Sequence, residues 1–220
     1  TSTGWWTAPG VIVGSGAPGD NYATWSESAV RAQMEVMRNL WGINHLASYS
    51  WGDWLLNNSA TSVSPYVPTT SIGLRDSIKE TLRIAQDYGI YFQFRLYSPS
   101  RTEGRVEFPY NTAEPYSSRA WTQRDFVNFW ANVAFELESY PNIILCLYDE
   151  PQTLYRTTPD PISGKSWYDT VIETVDAMRD AGFNGLIMAQ YAYCGDCYWM
   201  EEFYNYLNSE GRLDILTNFI

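Results

Sequence analysis

The feature of this sequence that most constrains its fold is a repeated alternation of amphipathic helical segments with short, continuous apolar runs. Strands of a parallel sheet have such runs because helices cover their faces and leave neither face to solvent. The pattern predicts six strands, at residues 10–13, 44–48, 90–97, 143–148, 185–190 and 213–219. Strict alternation of helix and strand predicts an α/β fold with a parallel sheet, either closed as a (β/α)8 TIM barrel or open and doubly wound.

Five helices are predicted between these strands, from 24 to 40, from 74 to 88, from 122 to 137, from 166 onward and from 198 to 207. Three begin with a hydroxyl residue followed three positions later by an acidic one, the pattern of a capping box: Thr24 with Glu27, Thr122 with Asp125, and Ser166 with Asp169. Glycines at 42, 89 and 182 follow helices and mark their ends. The predicted inward-facing stripes are Val30, Met34, Met37 and Trp41; Ile78, Leu82 and Ala85; Phe126, Trp130, Val133 and Leu137; and Val171, Val175 and Met178.

Length and composition indicate one folded unit over residues 1–220. The 220 residues are 45% hydrophobic and contain no long Gly, Ser or Pro tract that would indicate a linker. A complete (β/α)8 barrel typically needs about 250 residues. We therefore expect a single domain; if its sheet closes, it is one barrel domain that contains about six of the eight strands and lacks its C-terminal strands.

The charge balance argues against two classes of partner. The chain has 25 acidic against 14 basic residues, and a net charge of −11 offers no basic surface to phosphate backbones or anionic membranes. No apolar stretch approaches the roughly 18 to 20 residues that a membrane span requires. We expect neither nucleic acid as a partner nor a membrane span, and the sequence predicts no cofactor, no metal and no particular oligomeric state.

Cysteines and a glycosylation signal bear on the compartment. Cys194 and Cys197 have the spacing of a local disulfide, of half a metal site or of two separate thiols, and Cys146 lies in an apolar run. The sequon at 57–59 is typical of a surface loop in an extracellular protein. We therefore expect a secreted or cell-surface protein.

Aromatic and acidic residues gather where the predicted strands end. In parallel α/β folds the loops after the carboxyl ends of the strands build the site. Flat aromatic faces beside carboxylates suit a polyhydroxylated ligand, because C–H faces stack on rings and hydroxyls need fixed acceptors. The candidate site residues are Trp51 after the second strand, Tyr97 at the end of the third, Asp149 and Glu150 after the fourth, and Tyr193 after the fifth.

One stretch resembles the fourth strand of glycoside hydrolase family 5, in which a Pro-Asn step and an apolar strand lead to Asn-Glu-Pro. Residues 140–151 read YPNIILCLYDEP. The segments Gly42-Ile43-Asn44 and Gly89-Ile90 are similar to the family's entries to its second and third strands. The resemblance implies a cellulase-like (β/α)8 barrel and assigns the role of general acid/base to Glu150.

Three positions depart from the family pattern. Asp149 stands where the family usually has Asn, and a carboxylate cannot donate a hydrogen bond to a nucleophile as an amide can. The family's strand-two Arg aligns with Ala47 or Ser48, and Tyr97 stands where it has a strand-three His. A cation such as Arg95 would have to compensate the additional carboxylate. The resemblance therefore implies sugar contacts that differ from those of the family.

The resemblance implies a retaining endo-β-glycosidase that cleaves a β-linked polysaccharide or oligosaccharide such as cellulose, β-glucan or mannan. Glu150 would protonate the departing oxygen and later deprotonate water. Such an enzyme needs two carboxyl groups about 5 to 5.5 Å apart, and the family's nucleophile lies on the seventh strand. Asp149 is not a substitute, because adjacent strand residues point to opposite faces. We expect the nucleophile to be a Glu outside these 220 residues.

Two other functions are compatible with the sequence. A non-catalytic carbohydrate-binding or structural barrel is suggested by Asp149 and by the missing strand-two Arg. An open-sheet enzyme unrelated to sugars is the third alternative, although Pro18 argues against a phosphate-binding turn at 14–19. Single residues also have structural explanations, and His45, within an apolar run, is expected to be a hydrogen-bonded core residue.

Overall fold

The computed structural model describes residues 26–51, 76–98, 123–148, 157–159, 163–190 and 199–220. Within these ranges helices alternate with parallel strands. The helices are α1 (Glu27–Glu35), α2 (Asp76–Asp87), α3 (Gln123–Leu137), α4 (Trp167–Asp180) and α5 (Trp199–Ser209). The strands are β1 (His45–Trp51), β2 (Tyr91–Ser98), β3 (Ile143–Cys146) and β4 (Leu186–Met188).

The strands form one parallel sheet in which each strand lies beside the one before it in the chain, in the order β1-β2-β3-β4. Phe219 continues this order through a parallel bridge to Ile187 of β4. A doubly wound sheet reverses its strand order at a switch point, and the strands in the described ranges show no reversal. Their sequential order is that of a barrel, so the open-sheet alternative is not supported.

The last predicted strand, 213–219, is wrong over most of its length. Leu213–Leu216 is a 3-10 helix, and Arg212 forms an ion pair with Asp214 at 3.0 Å. The turn satisfies its own backbone, because the Thr217 N–H donates to the Asp214 carbonyl at 3.1 Å. Pairing with β4 begins only at residue 218. The other predicted strands from 44 onward correspond to β1 to β4, and the one at 10–13 lies outside the described residues.

The first helix begins later than its predicted capping pattern. Ser26 is the N-cap, and its Oγ accepts a hydrogen bond from the Ala29 N–H at 3.3 Å, whereas Thr24 lies outside the described residues. The helix continues into a π-helical segment, Val36–Leu40. A π turn holds more residues than an α turn and therefore shifts the phase of the buried face. The prediction for Trp41 is consequently wrong, since its side chain is 49% exposed.

The other predicted stripes are confirmed. Every member is at most 3% exposed: Val30, Met34, Met37, Ile78, Leu82, Ala85, Phe126, Trp130, Val133, Leu137, Val171, Val175 and Met178. Gly42 and Gly89 end helices with φ of +68° and +65°, the left-handed conformation in which glycine is favoured. His45 is exposed and not a core residue, because it is the first residue of β1 and lies at the amino edge of the sheet.

Asn142, the residue before β3, joins three elements. Its Nδ2 donates to the Leu82 carbonyl of α2 at 3.2 Å and to the Ile90 carbonyl before β2 at 3.0 Å. Its own carbonyl accepts from the Phe92 N–H at 2.8 Å. The Asn142 side chain is 7% exposed. This buried amide holds the turn from α2 to β2 and determines where β3 enters the sheet.

A hydrogen-bonded carboxylate holds α5 against the start of α4. The capping box predicted there is confirmed, since Ser166 Oγ accepts from the Asp169 N–H at 3.0 Å and Asp169 Oδ2 accepts from the Ser166 N–H at 2.9 Å. The Tyr206 hydroxyl of α5 donates to Asp169 Oδ1 at 2.6 Å. Burial opposes ionisation of Asp169, but the hydrogen bonds from Tyr206 and Ser166 outweigh it and lower the pKa of Asp169. Burial and the bond to Asp169 raise the pKa of Tyr206 to about 12.

Replacement of this tyrosine, Tyr206→Phe, is expected to lower the free energy of unfolding by about 1 kcal/mol at neutral pH. The effect is modest because a hydrogen bond to a carboxylate that is partly exposed to solvent contributes less than a buried one. Because the pKa of Asp169 is lowered by folding, its contribution is complete above the unfolded value of about 3.9 and is lost as the pH falls through the folded value. Because the pKa of Tyr206 is raised to about 12, its contribution is complete below about pH 10 and is lost as the pH rises through the folded value.

Urea denaturation at acidic, neutral and alkaline pH measures this difference. The difference in the free energy of unfolding between wild type and Tyr206→Phe should be largest at neutral pH and should decrease at acidic and at alkaline pH. The control is Tyr204→Phe, which removes an exposed hydroxyl from the same helix and should change stability by less than about 0.5 kcal/mol. A gap that does not vary with pH would contradict the assignment.

Candidate active site at the carboxyl edge

The carboxyl ends of the four strands lie side by side at one edge of the sheet. Trp51 ends β1 and pairs with Ser98 at the end of β2. Cys146, the last residue of β3, lies opposite Arg95 of β2 and Met188 of β4. The strands that lead to the candidate site residues therefore end at the same edge, as the sequence predicts.

The structure describes the backbone of two of the five candidate residues, Trp51 and Tyr97, and leaves the other three outside the described residues. The backbones of Trp51 and Tyr97 are at the ends of neighbouring strands, with Tyr97 next to Ser98, the partner of Trp51. Asp149, Glu150 and Tyr193 lie outside the described residues. Their assignment to a site, and the side-chain roles of Trp51 and Tyr97, stay predictions. The described segment that contains β3 ends at Tyr148, two positions before Glu150 in the sequence.

Three buried hydrogen bonds hold the end of β3. The Leu147 N–H donates to the Met188 carbonyl of β4 at 2.9 Å, and the Leu147 carbonyl accepts from the indole N–H of Trp130 at 3.0 Å. The Cys146 thiol donates to the Tyr148 carbonyl with an Sγ···O distance of 3.7 Å. Leu147 and Tyr148 are both 0% exposed. The two residues that follow β3, and that precede Asp149 in the sequence, are therefore buried and held by hydrogen bonds.

The two faces of the sheet differ beneath this edge. One face carries Phe92 and Phe94, whose ring centroids lie 5.2 Å apart and which are at most 2% exposed. The opposite face carries Gln93, whose Nε2 donates to Met188 Sδ at 3.2 Å and so crosses β3. Arg95 follows on that same face and is partly buried. Two polar side chains, Gln93 and Arg95, thus lie below the strand ends, on the face that alternation assigns to Cys146.

Sequence reasoning missed the structural importance of two residues. Trp130 was predicted only as part of an apolar stripe, and Asn142 only as part of a strand-four motif. Trp130 donates to the backbone just after β3, and Asn142, just before β3, donates to backbone carbonyls of α2 and of the residue before β2. A signal existed for both, because a buried indole N–H or side-chain amide requires an acceptor.

The described parts of the chain bring together no group of three or more His, Cys, Asp or Glu residues that could hold a metal ion. Cys194 and Cys197, for which a disulfide or half a metal site was considered, lie outside the described residues. Among the helices that the structure describes, none has both the length and the apolar character needed to cross a membrane.

Sequential parallel strands alternating with helices, and a candidate site at the carboxyl edge, define the class of (β/α)8-barrel proteins. The family model for cellulase (glycosyl hydrolase family 5) matches residues 11–211. This chain belongs to glycosyl hydrolase family 5. The resemblance seen in the strand-four motif is confirmed.

Solved structures of endoglucanases share the fold. Cel5A (EG2) from Hypocrea jecorina (Trichoderma reesei) is 16% identical with a TM-score of 0.53, and the match covers 92% of this chain and 52% of that chain. The Pseudomonas stutzeri endoglucanase Cel5A is 15% identical with a TM-score of 0.54, covering 86% and 53%. An endocellulase from Pyrococcus horikoshii, solved with cellotetraose, is 15% identical with a TM-score of 0.53, covering 79% and 52%.

These similarities establish the fold as a (β/α)8 barrel, of which the described residues contain β1 to β4 and the bridge at Phe219. The chain spans about half the length of the solved structures that it matches. A search of curated proteins gives no match.

Proposed function

We propose that this chain contributes the acid/base half of the active site of a retaining endo-β-glycosidase, with Glu150 protonating the departing glycosidic oxygen and then deprotonating the attacking water. The observation that carries the proposal is the anchored end of β3. β3 ends at the edge where β1 and β2 also end, and the buried residues Leu147 and Tyr148 that follow it precede Glu150 in the sequence by three and two positions. Membership of glycosyl hydrolase family 5 supports it.

The substrate that we propose is a β-linked polysaccharide or oligosaccharide such as a β-glucan or mannan. A structural neighbour was solved with cellotetraose, and the strand ends carry aromatic residues suited to stacking on sugar rings. Trp51, Tyr97, Asp149 and Tyr193 are the proposed sugar contacts. We further propose that residues 1–220 belong to one barrel domain of a secreted protein.

A retaining mechanism needs a second carboxyl group about 5 to 5.5 Å from the first, on the same side of the barrel. Asp149 is adjacent to Glu150, and neighbouring residues of an extended chain point to opposite faces. We therefore propose that the nucleophile is a Glu supplied by a part of the protein outside these 220 residues.

A non-catalytic carbohydrate-binding barrel is the second candidate function. It is favoured by Ala47 and Ser48 of β1, which pair with Gln93 and Phe94 of β2, because the family resemblance places an Arg at one of these two positions. Loss of that Arg would weaken catalysis more than binding, because aromatic stacking on sugars does not depend on it.

The experiment is an assay of the full-length protein on soluble β-1,4-glucan and β-mannan, with reducing ends counted and binding followed by affinity electrophoresis. Release of reducing ends supports the glycosidase, and proton NMR of the earliest products should show retention of the β configuration. Binding without product would support the second candidate. Inverted products would contradict the retaining mechanism, and neither binding nor product would contradict both functions.

A further inference from the structure

The carbonyl of Leu147 is held by a helix side chain. The indole N–H of Trp130 on α3 donates to this oxygen at 3.0 Å, and both residues are 0% exposed. The N–H of the same residue donates to the Met188 carbonyl of β4 at 2.9 Å. Leu147 is thus tied by one polar group to the neighbouring strand and by the other to the helix outside the sheet.

The position of Trp130 is itself well determined. Its ring packs edge-to-face on Phe129, with centroids 5.2 Å apart and planes at 74°, and Val133 lies one turn further along the same buried face of α3. A buried carbonyl without a donor is unfavourable, and the Trp130 indole supplies a donor to the Leu147 carbonyl. The indole therefore fixes the distance between α3 and Leu147, which directly follows β3 and precedes Glu150 by three residues in the chain.

We infer that Trp130 is a positioning residue for the catalytic acid, acting through the Leu147 carbonyl and not through contact with substrate. The inference rests on the proposed function, since it concerns how Glu150 is aimed. Misplacement of a catalytic group by about 1 Å costs on the order of 10²-fold in rate. Removal of the indole N–H should therefore slow mainly the step in which the departing oxygen is protonated.

The test compares Trp130→Phe with wild type in the full-length protein, using two kinds of substrate. An unactivated cello-oligosaccharide needs its leaving oxygen protonated, whereas a 2,4-dinitrophenyl β-cellobioside has a leaving group that departs without a proton. We expect kcat/KM, which reports the first irreversible step, to fall by about 10-fold or more on the oligosaccharide and by less than about 3-fold on the activated glycoside.

Val133→Ala is the matched control, because it removes buried volume from the same helix face without removing a hydrogen-bond donor. It should lower kcat/KM on both substrates alike or on neither. If Trp130→Phe also changes kcat/KM equally on both substrates, or on neither, the positioning role is overturned. If Trp130→Phe does not fold, replacement of Trp130 by 3-benzothienylalanine, which exchanges the indole N–H for sulfur in nearly the same shape, makes the same comparison.

Different outcomes contradict the proposed function and the positioning role of Trp130. Glu150→Gln measured in parallel should show the selective loss on the oligosaccharide to a larger degree. If wild type hydrolyses neither substrate, or if Glu150→Gln keeps full activity, the proposed function and the inference both fall. If Glu150→Gln behaves as expected and Trp130→Phe does not, only the inference falls.

Discussion

The Glu150→Gln variant is expected to hydrolyse β-linked glucan about 10² to 10⁴-fold more slowly than the wild type, because general acid catalysis contributes a factor of that size. An amide retains the shape of the carboxyl group, but it neither donates a proton to the departing oxygen nor accepts one from water. Initial rates on cello-oligosaccharides in the full-length protein measure the loss. The melting temperature should change little, because the amide has nearly the same size and shape as the carboxyl group.

The control for this variant is Glu35→Gln, which neutralises an exposed carboxylate at the end of α1 and should leave the rate unchanged. A Glu150→Gln variant that keeps more than about a tenth of wild-type turnover would remove Glu150 from the acid/base role, since the expected factor is at least tenfold larger.

Azide separates loss of the acid/base group from general damage to the site. In a retaining enzyme the second step is attack on a glycosyl-enzyme, and a small anion can attack the anomeric carbon without a base, expelling the enzyme carboxylate. Azide should therefore accelerate turnover of an activated aryl glycoside by Glu150→Gln and give the β-glycosyl azide. Lack of any acceleration would indicate that the variant has lost more than proton transfer.

The Asn142→Asp variant is expected to lower the free energy of unfolding by about 3 to 5 kcal/mol at neutral pH, the range for a buried charge without a partner. The new carboxylate would face the carbonyl oxygens of Leu82 and Ile90, which now accept from the amide at 3.2 and 3.0 Å. Urea unfolding followed by tryptophan fluorescence measures the change. The deficit should shrink in acid, because a protonated carboxyl group can donate to one of the two carbonyls.

Asn208→Asp, at an exposed position on α5, adds the same charge without burying it and should alter stability by less than about 0.5 kcal/mol. An Asn142→Asp variant within about 1 kcal/mol of the wild type would show that the amide is not the donor that holds the α2–β2 turn.

The regular parts of the fold were predictable because they depend on periodicity. Residues 143–148 form an unbroken apolar run, and the stripe of α3 recurs every three to four residues, so both were located from the sequence. Trp41 was not predictable in this way. Its exposure follows from a π-helical turn. Whether the backbone forms α-helical or π-helical hydrogen bonds cannot be deduced from the spacing of apolar side chains.

The last predicted strand failed for a related reason. Leu213, Ile215 and Phe219 look like an apolar run, but the ion pair between Arg212 and Asp214 and the turn hydrogen bonds make a local structure more favourable until residue 218. For the site, the sequence predicted which strand ends meet, because parallel strands place their carboxyl ends together. It did not predict the contact from Trp130 to Leu147, because that contact depends on the distance between a helix and a strand that only packing determines.

The sequential strand order has a consequence for how the chain reaches its native state. Each strand from β2 to β4 finds its partner in the strand synthesised just before it, and α2, α3 and α4 are the helices that the structure describes between them. Registered partners such as His45 and Tyr91 are nevertheless far apart in the sequence, and parallel pairing over such a range is slow because the chain between them must be ordered first. Because each strand pairs with one synthesised before it, the half-barrel can grow unit by unit during translation. Until the next unit arrives, its newest strand presents unpaired backbone groups, so the growing edge is where a folding chaperone or a neighbouring nascent chain would first interact.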